Sequence, residues 1–455
     1  MCVNWGRCSW LTGAVWSAGG RSGPCRLPTS AGGPHHPSLQ RYYKKSAAFV
    51  LRAVAKHSGA LAQSVVDAGA LEGLVLCLEE FDPAVKEAAA WALGNIASHS
   101  GALAGAVMAA GAAPLLVLCV QEPEVALRRS AAAALGELAR HSLELAQTVA
   151  DAGAVAQLAP LGEAEDARLR RTATGALAAL ACHSVDLAEV VVEAGVLPRA
   201  LAGMREVDPA SRRASAILLR DIVKHSAELA KLAISAGCAG LLVEGVRDAA
   251  SGARLPALMA LGFVCAFSET LALAVVLAGG VAALREALTN EPEDHVRAAA
   301  AWTAGHLGRH TPEHARAAAE GGLLPLLVTL LSCEEARASS DTRLKAKRAL
   351  KAIIAKCPDA GPLCPLLRDA AAPPAVPKAA LRQLAVLLPR DPSARRAFMT
   401  GGYLQRVQEI KAAGEAAAGG QGVGGAATPP ASALHPKVAD AIARINGAFP
   451  DEAVK

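Results

Sequence analysis

The stretch LAQSVVDAGALEGLVLCLEEFDPAVKEAAAWALGNIASHS, residues 61–100, holds a complete helical unit with its punctuation. LAQSVVDA (61–68) reads as a short helix stopped by Gly69, a residue free to enter the left-handed region. LEGLVLCLEE (71–80) reads as a second helix. Asp82-Pro83 then supplies an N-cap carboxylate and a first-turn proline. A third helix runs from there through VKEAAAWALGNIASH. Val85, Ala89, Ala92, Leu93 and Ile96 fall on one stripe of it at helical spacing, so this helix has a face to bury.

The same punctuation returns along the chain. His-Ser closes a segment at His57, His99, His141, His183 and His225, each 42 residues after the last. Phe267-Ser268 keeps that register, and His310-Thr311 follows 43 residues later. Gly69, Gly111, Gly153, Gly195, Gly237 and Gly279 are also 42 apart, with Gly322 a further 43 on. Two residue types sharing one period and one single-residue slip mark a helical solenoid. A lone unit cannot bury its apolar face, so stacked units share one core and stabilise their nearest neighbours.

The spacing therefore predicts an all-α solenoid over 41–357. Degenerate repeats are expected over 358–412, where ARRAFMTGGYLQRVQEI (394–410) again has the pattern of the first two helices of a unit. The Gly/Ala/Pro-rich stretch 413–435 reads as a flexible linker, and 436–455 as a short helix to about Ala448 with a tail. Residues 1–40 are Gly/Ser/Pro/Trp-rich, lack the period and are expected to be unstructured. The array begins at Tyr42 on what reads as the last helix of a unit. Residues 1–40 are thus expected to stand in place of missing repeats, as in a misassembled gene model.

Of the 455 residues 53% are apolar and 3% aromatic, and the formal net charge is +5. Abundant alanine favours closely packed helices. A mild charge and few rings argue against a nucleic-acid partner, which needs a basic footprint and stacking platforms. Cys77, Cys119, Cys182, Cys238 and Cys265 sit singly in apolar runs, and no CxxC pair occurs. They read as buried free thiols of a reducing, intracellular compartment, while Cys2, Cys8 and Cys25 lie outside the pattern. Residues 1–20 lack a sustained apolar core, so no secretory signal is expected. Ser100 to Gln121 carries no charge over a length fit to span a membrane. Gly111 and Pro114 interrupt it, however, and the matching segments elsewhere carry Asp67, Asp151 and Glu193. Two buried solenoid helices, and no membrane partner, are expected there.

AAWALGNIA (89–97) is similar to the third-helix signature of armadillo repeats, and VVDAGAL (65–71) to the preceding helix corner. Longer strings narrow the resemblance. RYYKKSAAFVLRAVAKHS (41–58), CLEEFDPAVKEAAAWAL (77–93), LLVLCVQEPEVALRR (115–129), HSVDLAEVVVEAG (183–195), NEPEDHVRAAAAW (290–302) and GRHTPEHARA (308–317) resemble the sperm-associated antigen six family. The likeness covers roughly 41–411, with an echo in ARINGAFPDEAV (443–454). It implies a right-handed armadillo superhelix that serves as a scaffold on the central-pair microtubules of motile cilia and flagella. Its implied location is the cytoskeleton of the axoneme, its implied partners are axonemal proteins and tubulin, and N-terminal repeats of the family are missing here.

One candidate surface is a basic column. Lys86, Arg128, Arg170, Arg212 and Arg254 are 42 apart, and Arg297 follows by 43, all near the start of a third helix. Arg129, Arg171 and Arg213 form a partial second column. Stacked helices lie roughly 8–10 Å apart, so the columns read either as a ladder that steers docking onto acidic tubulin or as a solvated face covering apolar edges. Trp91 and Asn95 share a helix face, as in the peptide groove of armadillo import receptors. The pair recurs only as Ala133/Glu137, Gly175/Ala179, Ile217/Asp221, Met259/Phe263 and Trp302/His306, so an import-receptor ladder is not expected, although a soluble adaptor for extended peptides remains the alternative function.

Catalysis, metal and cofactor are not expected. The histidines of the column stand about one inter-helix spacing apart, too far to share a metal at bonds of roughly 2 Å. They read as helix-end residues bonding loose carbonyls. His310-Thr-Pro-Glu-His314 spells HxxEH, but Pro312 interrupts the helix that would present both rings. The GxGxxG at 420–425 follows no strand, which a dinucleotide fold requires.

Overall fold

The computed structural model describes residues 37–248, 252–332, 338–369, 372–419 and 436–450. The described residues form helices and turns, with no strand among them. The chain divides after Leu229 into two compact units.

In the N-terminal unit a long helix, α1 (Pro37–His57), is followed by triplets of helices. The first triplet is α2 (Gly59–Asp67), α3 (Ala70–Cys77) and α4 (Pro83–His99). The second is α5 (Gly101–Ala109), α6 (Ala112–Val120) and α7 (Val125–Ala139). The third is α8 (Leu143–Asp151), α9 (Ala154–Leu158) and α10 (Ala167–Ala181), and the fourth is α11 (Val185–Glu193), α12 (Val196–Gly203) and α13 (Pro209–Val223). Pro160 shortens α9 and passes the chain into a 3-10 turn, Ala159–Glu163.

The corners are built as the sequence requires. Gly69, Gly111, Gly153 and Gly195 take φ of 72°, 82°, 85° and 75°. This left-handed step lets α5 and α6 meet at 84°, so the uncharged stretch 100–121 is two short helices, with Leu103, Val107, Leu116 and Val120 buried. No single described helix is long and apolar enough to cross a membrane. Asp82 caps α4 through the amide of Ala84 at 2.9 Å, with Pro83 in the first turn.

The third helices stack on one another. A Cβ on Gly94 would come within 3.2 Å of the Cα of Ala134, and one on Gly136 within 3.1 Å of the Cα of Ala176. Such approaches put the helix backbones nearly in contact, which only Gly and Ala permit. The His-Ser dipeptides join the repeats. Nε2–H of His99, His141, His183 and His225 donates to the carbonyls of Ala55, Ala97, Ala139 and Ala181 at 2.6, 2.7, 2.8 and 2.8 Å. Each acceptor lies in the last turn of the preceding third helix, where carbonyls lack an intrahelical partner. The expectation of helix-end histidines bonding loose carbonyls is met, and the carbonyl belongs to the neighbouring repeat. The serine that follows caps the next helix: Ser58, Ser100, Ser142 and Ser184 accept from the amides of Leu61, Leu103, Leu145 and Leu187 at 3.2, 3.2, 3.3 and 3.2 Å.

The C-terminal unit repeats the scheme with α15 (Cys238–Arg247), α16 (Arg254–Phe267), α17 (Glu269–Leu277), α18 (Gly280–Asn290), α19 (Asp294–Gly308), α20 (Pro312–Glu320), α21 (Leu323–Ser332) and α22 (Ser340–Lys356); α14 (Ala227–Ser235) precedes them. Gly305 meets Ala349 as Gly94 meets Ala134, with a Cβ at 3.0 Å from the Cα. Beyond α22 lie α23 (Ala375–Leu387), α24 (Pro392–Thr400), α25 (Tyr403–Gly419) and α26 (Pro436–Asn446). The corner between α24 and α25 turns at Gly402 with φ 67°, which fits the repeat-like reading of 394–410. The stretch expected to be linker from residue 413 instead continues α25 to Gly419. KAAGEAAAG is rich in the best helix former, which extends the helix past the apolar pattern that marked its end. The remaining linker residues 420–435, with the GxGxxG string, and residues 1–36, with Cys2, Cys8 and Cys25, lie outside the described residues.

Candidate protein-interaction surface

The basic column is half-buried and tied to neighbours. In the N-terminal unit Lys86 pairs with Glu122 at 2.5 Å and Arg170 with Glu206 at 2.8 Å. Lys44 on α1 makes the equivalent pair with Glu80. Each acid lies 36 residues after its cation, in the loop just past the next repeat's second helix. Arg170 also donates to the carbonyls of Ala164 and Glu165 at 2.7 and 2.9 Å, and Arg212 to those of Glu206 and Val207 at 2.8 Å. These cations staple the loop that enters their own helix and reach for the following repeat. Arg128 has its Nε buried without a hydrogen-bond partner among the described residues. In the C-terminal unit Arg254 pairs with Glu291, and Arg297 with Asp294 at 3.2 Å. Apart from Asp294, at the start of α19, the acids that neutralise this column lie in the loops, outside the register in which the cations are counted.

The second column is freer. Arg129 is half-buried, Arg171 pairs with Asp208 at 3.1 Å, and Arg213 is exposed. Trp91 is covered from one side: the Arg52 guanidinium stands 4.4 Å over its ring, and Asn95 Nδ2 donates to the Arg52 carbonyl at 3.5 Å. Down the later third helices of the N-terminal unit the Trp91 position holds Ala133, Gly175 and the half-buried Ile217, so no second ring stands there.

Around Trp302 the surface is different. Trp302 lies over Gly262, where a Cβ would be 2.1 Å from its Cζ3. It meets Phe263 edge-on at 5.2 Å between centroids and His306 at 4.7 Å. All three side chains are half-buried. Nδ1 of His306 is buried without a hydrogen-bond partner among the described residues. Burial, with the charges of Arg309 and His310 adding to it, pushes the His306 pKa down to about 4, so the ring is neutral at neutral pH. The HxxEH rings are both occupied. His310 Nε2 bonds the Cys265 carbonyl at 2.6 Å, and His314 bonds the Glu269 carbonyl at 3.0 Å and the Thr311 hydroxyl at 2.7 Å. Pro312 opens α20 between them, so the rings stand on different elements. No cluster of His, Cys, Asp and Glu fit to hold a metal occurs among the described residues.

The Armadillo/beta-catenin-like repeat family matches residues 60–98, the same first triplet quoted from the sequence. The fold is similar to the crystal structure of an engineered protein, with a TM-score of 0.71 and 26% identity over 90% of this chain and 96% of that one. A designed armadillo repeat protein in complex with the peptide (KR)4 is 21% identical, with a TM-score of 0.50 over 52% of this chain and 99% of that one, a likeness of fold. Fold and repeat define an all-α armadillo-repeat solenoid.

Within that class the chain is similar to sperm-associated antigen 6 over part of its length. It is 51% identical to the Mus musculus protein over 125 residues and 49% identical to the Homo sapiens protein over 129, in each case 28% of this chain. The chain spans about a quarter of the length of these relatives, 24% and 25%.

Proposed function

We propose that this chain is a non-catalytic scaffold of the motile cilium or flagellum, bound to axonemal proteins and central-pair microtubules in the cytoskeleton and needed for the integrity and beating of the central apparatus. The observation that carries the reading is the identity of about one half to sperm-associated antigen 6 over 125 and 129 residues. The exposed Arg213 and its half-buried neighbours Arg129 and Arg171 support it by offering positive charge to acidic tubulin. The test is co-sedimentation with microtubules, beside localisation of a tagged chain in ciliated cells. Pelleting at low salt that falls as the Debye length shrinks, and that weakens in R129E/R171E/R213E, is the expected result. No pelleting and no axonemal signal would reject it.

The open face around Trp302 favours a second reading, a soluble adaptor holding extended peptides in its groove. Tight peptide binding without microtubule affinity would select it.

A further inference from the structure

The second helices of the first two repeats carry apolar side chains that their own core does not use. Leu76 in α3 and Leu118 in α6 hold one position 42 residues apart, and they are 56% and 57% exposed. Phe81, in the loop that follows α3, is 93% exposed. The pattern ends there, because the same position in later repeats holds Pro160, Ala202, Glu244 and Glu286. Bulky apolar groups gathered on one stretch of surface mark an interaction site, where scattered ones do not.

A cleft of about 480 Å³ opens between these two repeats. Leu78 and Cys119, both buried, lie deepest in it, and the half-buried Leu115 and exposed Leu118 line it above them. Glu79 and the Lys86–Glu122 ion pair complete the lining. The volume falls in the range of pockets that enclose a ligand group, roughly 300–1,000 Å³. The cleft is built by α3, α6 and the loops after them. Lys86 alone comes from a third helix, and Glu122 takes up its charge.

Charge decides what fits there. Residues 59–82 and 101–124, the first two helices of both repeats with their loops, hold seven acids and no Lys, Arg or His. Glu72 lies one helical turn before Leu76, Glu79 two residues before Phe81, and Glu124 two residues past Glu122. These three are exposed and have no ion-pair partner among the described residues. We infer that the cleft receives a bulky apolar side chain from a basic segment of a partner protein, whose flanking Lys and Arg meet Glu72, Glu79 and Glu124 while Leu76 and Phe81 cover its apolar side. Nucleic acid, an anionic lipid surface and acidic tubulin are all repelled by such an edge. A purely apolar partner would strip water from the three carboxylates without pairing them, which is costly. The inference goes beyond the proposed function: it uses other helices than Arg129, Arg171 and Arg213, and it holds whether or not the chain binds microtubules.

The test is fluorescence anisotropy of the full chain with a fluorescein-labelled twelve-residue peptide of Lys and Ser with a central Leu. Charge reversal E79K/E124K is expected to weaken binding at least about tenfold, and F81A/L118A several-fold. The same peptide with Ser in place of its Leu should bind several-fold more weakly. E189K/E228K, which reverses exposed acids elsewhere, is expected to leave binding within about twofold. E79Q/E124Q keeps the test open where the double reversal fails to fold, as judged by circular dichroism. Hydrogen exchange of the complex locates the peptide: slowed exchange over residues 76–82 and 115–124 is expected. Slowing confined to the third helices, weakening by E189K/E228K equal to that by E79K/E124K, or indifference to both cleft variants would each overturn the assignment. Microtubule pelleting is a separate readout, expected to survive E79K/E124K, so failure of one reading leaves the other standing.

Discussion

His141 and Ser142 act in opposite directions along the chain, and their substitutions should separate accordingly. H141A removes the donor to the Ala97 carbonyl and should cost about 1 kcal/mol. Its signature is faster hydrogen exchange in the last turn of α4, across the repeat boundary. S142A removes the cap on the Leu145 amide and should cost about 1 kcal/mol, with exchange rising in the first turn of α8. His306 gives a different signal. Its folded pKa lies near 4, below the ordinary 6.5, because burial disfavours the cation and Arg309 and His310 repel it. The unfolded chain then takes up the proton first as pH falls. The stability contributed by the neutral ring is complete above about 6.5 and declines down to about 4. Urea titrations from pH 7.5 to 4.5 should show this decline, and H306Q should flatten it.

Among the elements, glycines make the sharpest contrast. Gly105 lies within α5 with nothing near its missing Cβ, so G105A should stabilise by about 0.5–1 kcal/mol. Gly111 has the same open space but φ 82°, so G111A should destabilise by about 1 kcal/mol. G136V drives a branched side chain into the Ala176 backbone and should cost more than either, about 1–3 kcal/mol. Thermal melts of the three variants against the parent check the order. At this scale the sequence was most legible. The corner glycines and the Asp82-Pro83 start are local chemistry, read without knowing what packs where. The end of α25 was missed because its alanines carry helical propensity without an apolar stripe. The ion pairs of Lys86 and Arg170 were not legible for another reason: their partners Glu122 and Glu206 lie 36 residues away, in loops whose position only the stacking reveals. The aromatic cluster around Trp302 was half visible. Trp302/His306 stood in the repeat register, but the edge-on contact of Trp302 with Phe263 joins third helices of successive repeats, which only the stacking reveals.

For the whole molecule, the thiols report on integrity. Burial pushes Cys77, Cys119 and Cys364 up to about 11 and Cys238 and Cys265 up to about 12. The thiolate is the reactive form, so at pH 8 these five should resist iodoacetamide in the native chain and react within minutes in guanidinium. Mass spectrometry of partly denatured samples then tells which compact unit opens first, since Cys77 and Cys119 lie in one and the other three in the second.

The histidine joints carry one more implication. Each reaches a main-chain oxygen, and the residues supplying it are Ala55, Ala97, Ala139, Ala181 and Cys265. A main-chain acceptor is common to all twenty amino acids, so the joint does not read its neighbour's identity. Bricks of this kind can be duplicated, deleted or exchanged without rewriting the mortar, and lineages built from them are free to vary in length while each splice still fits.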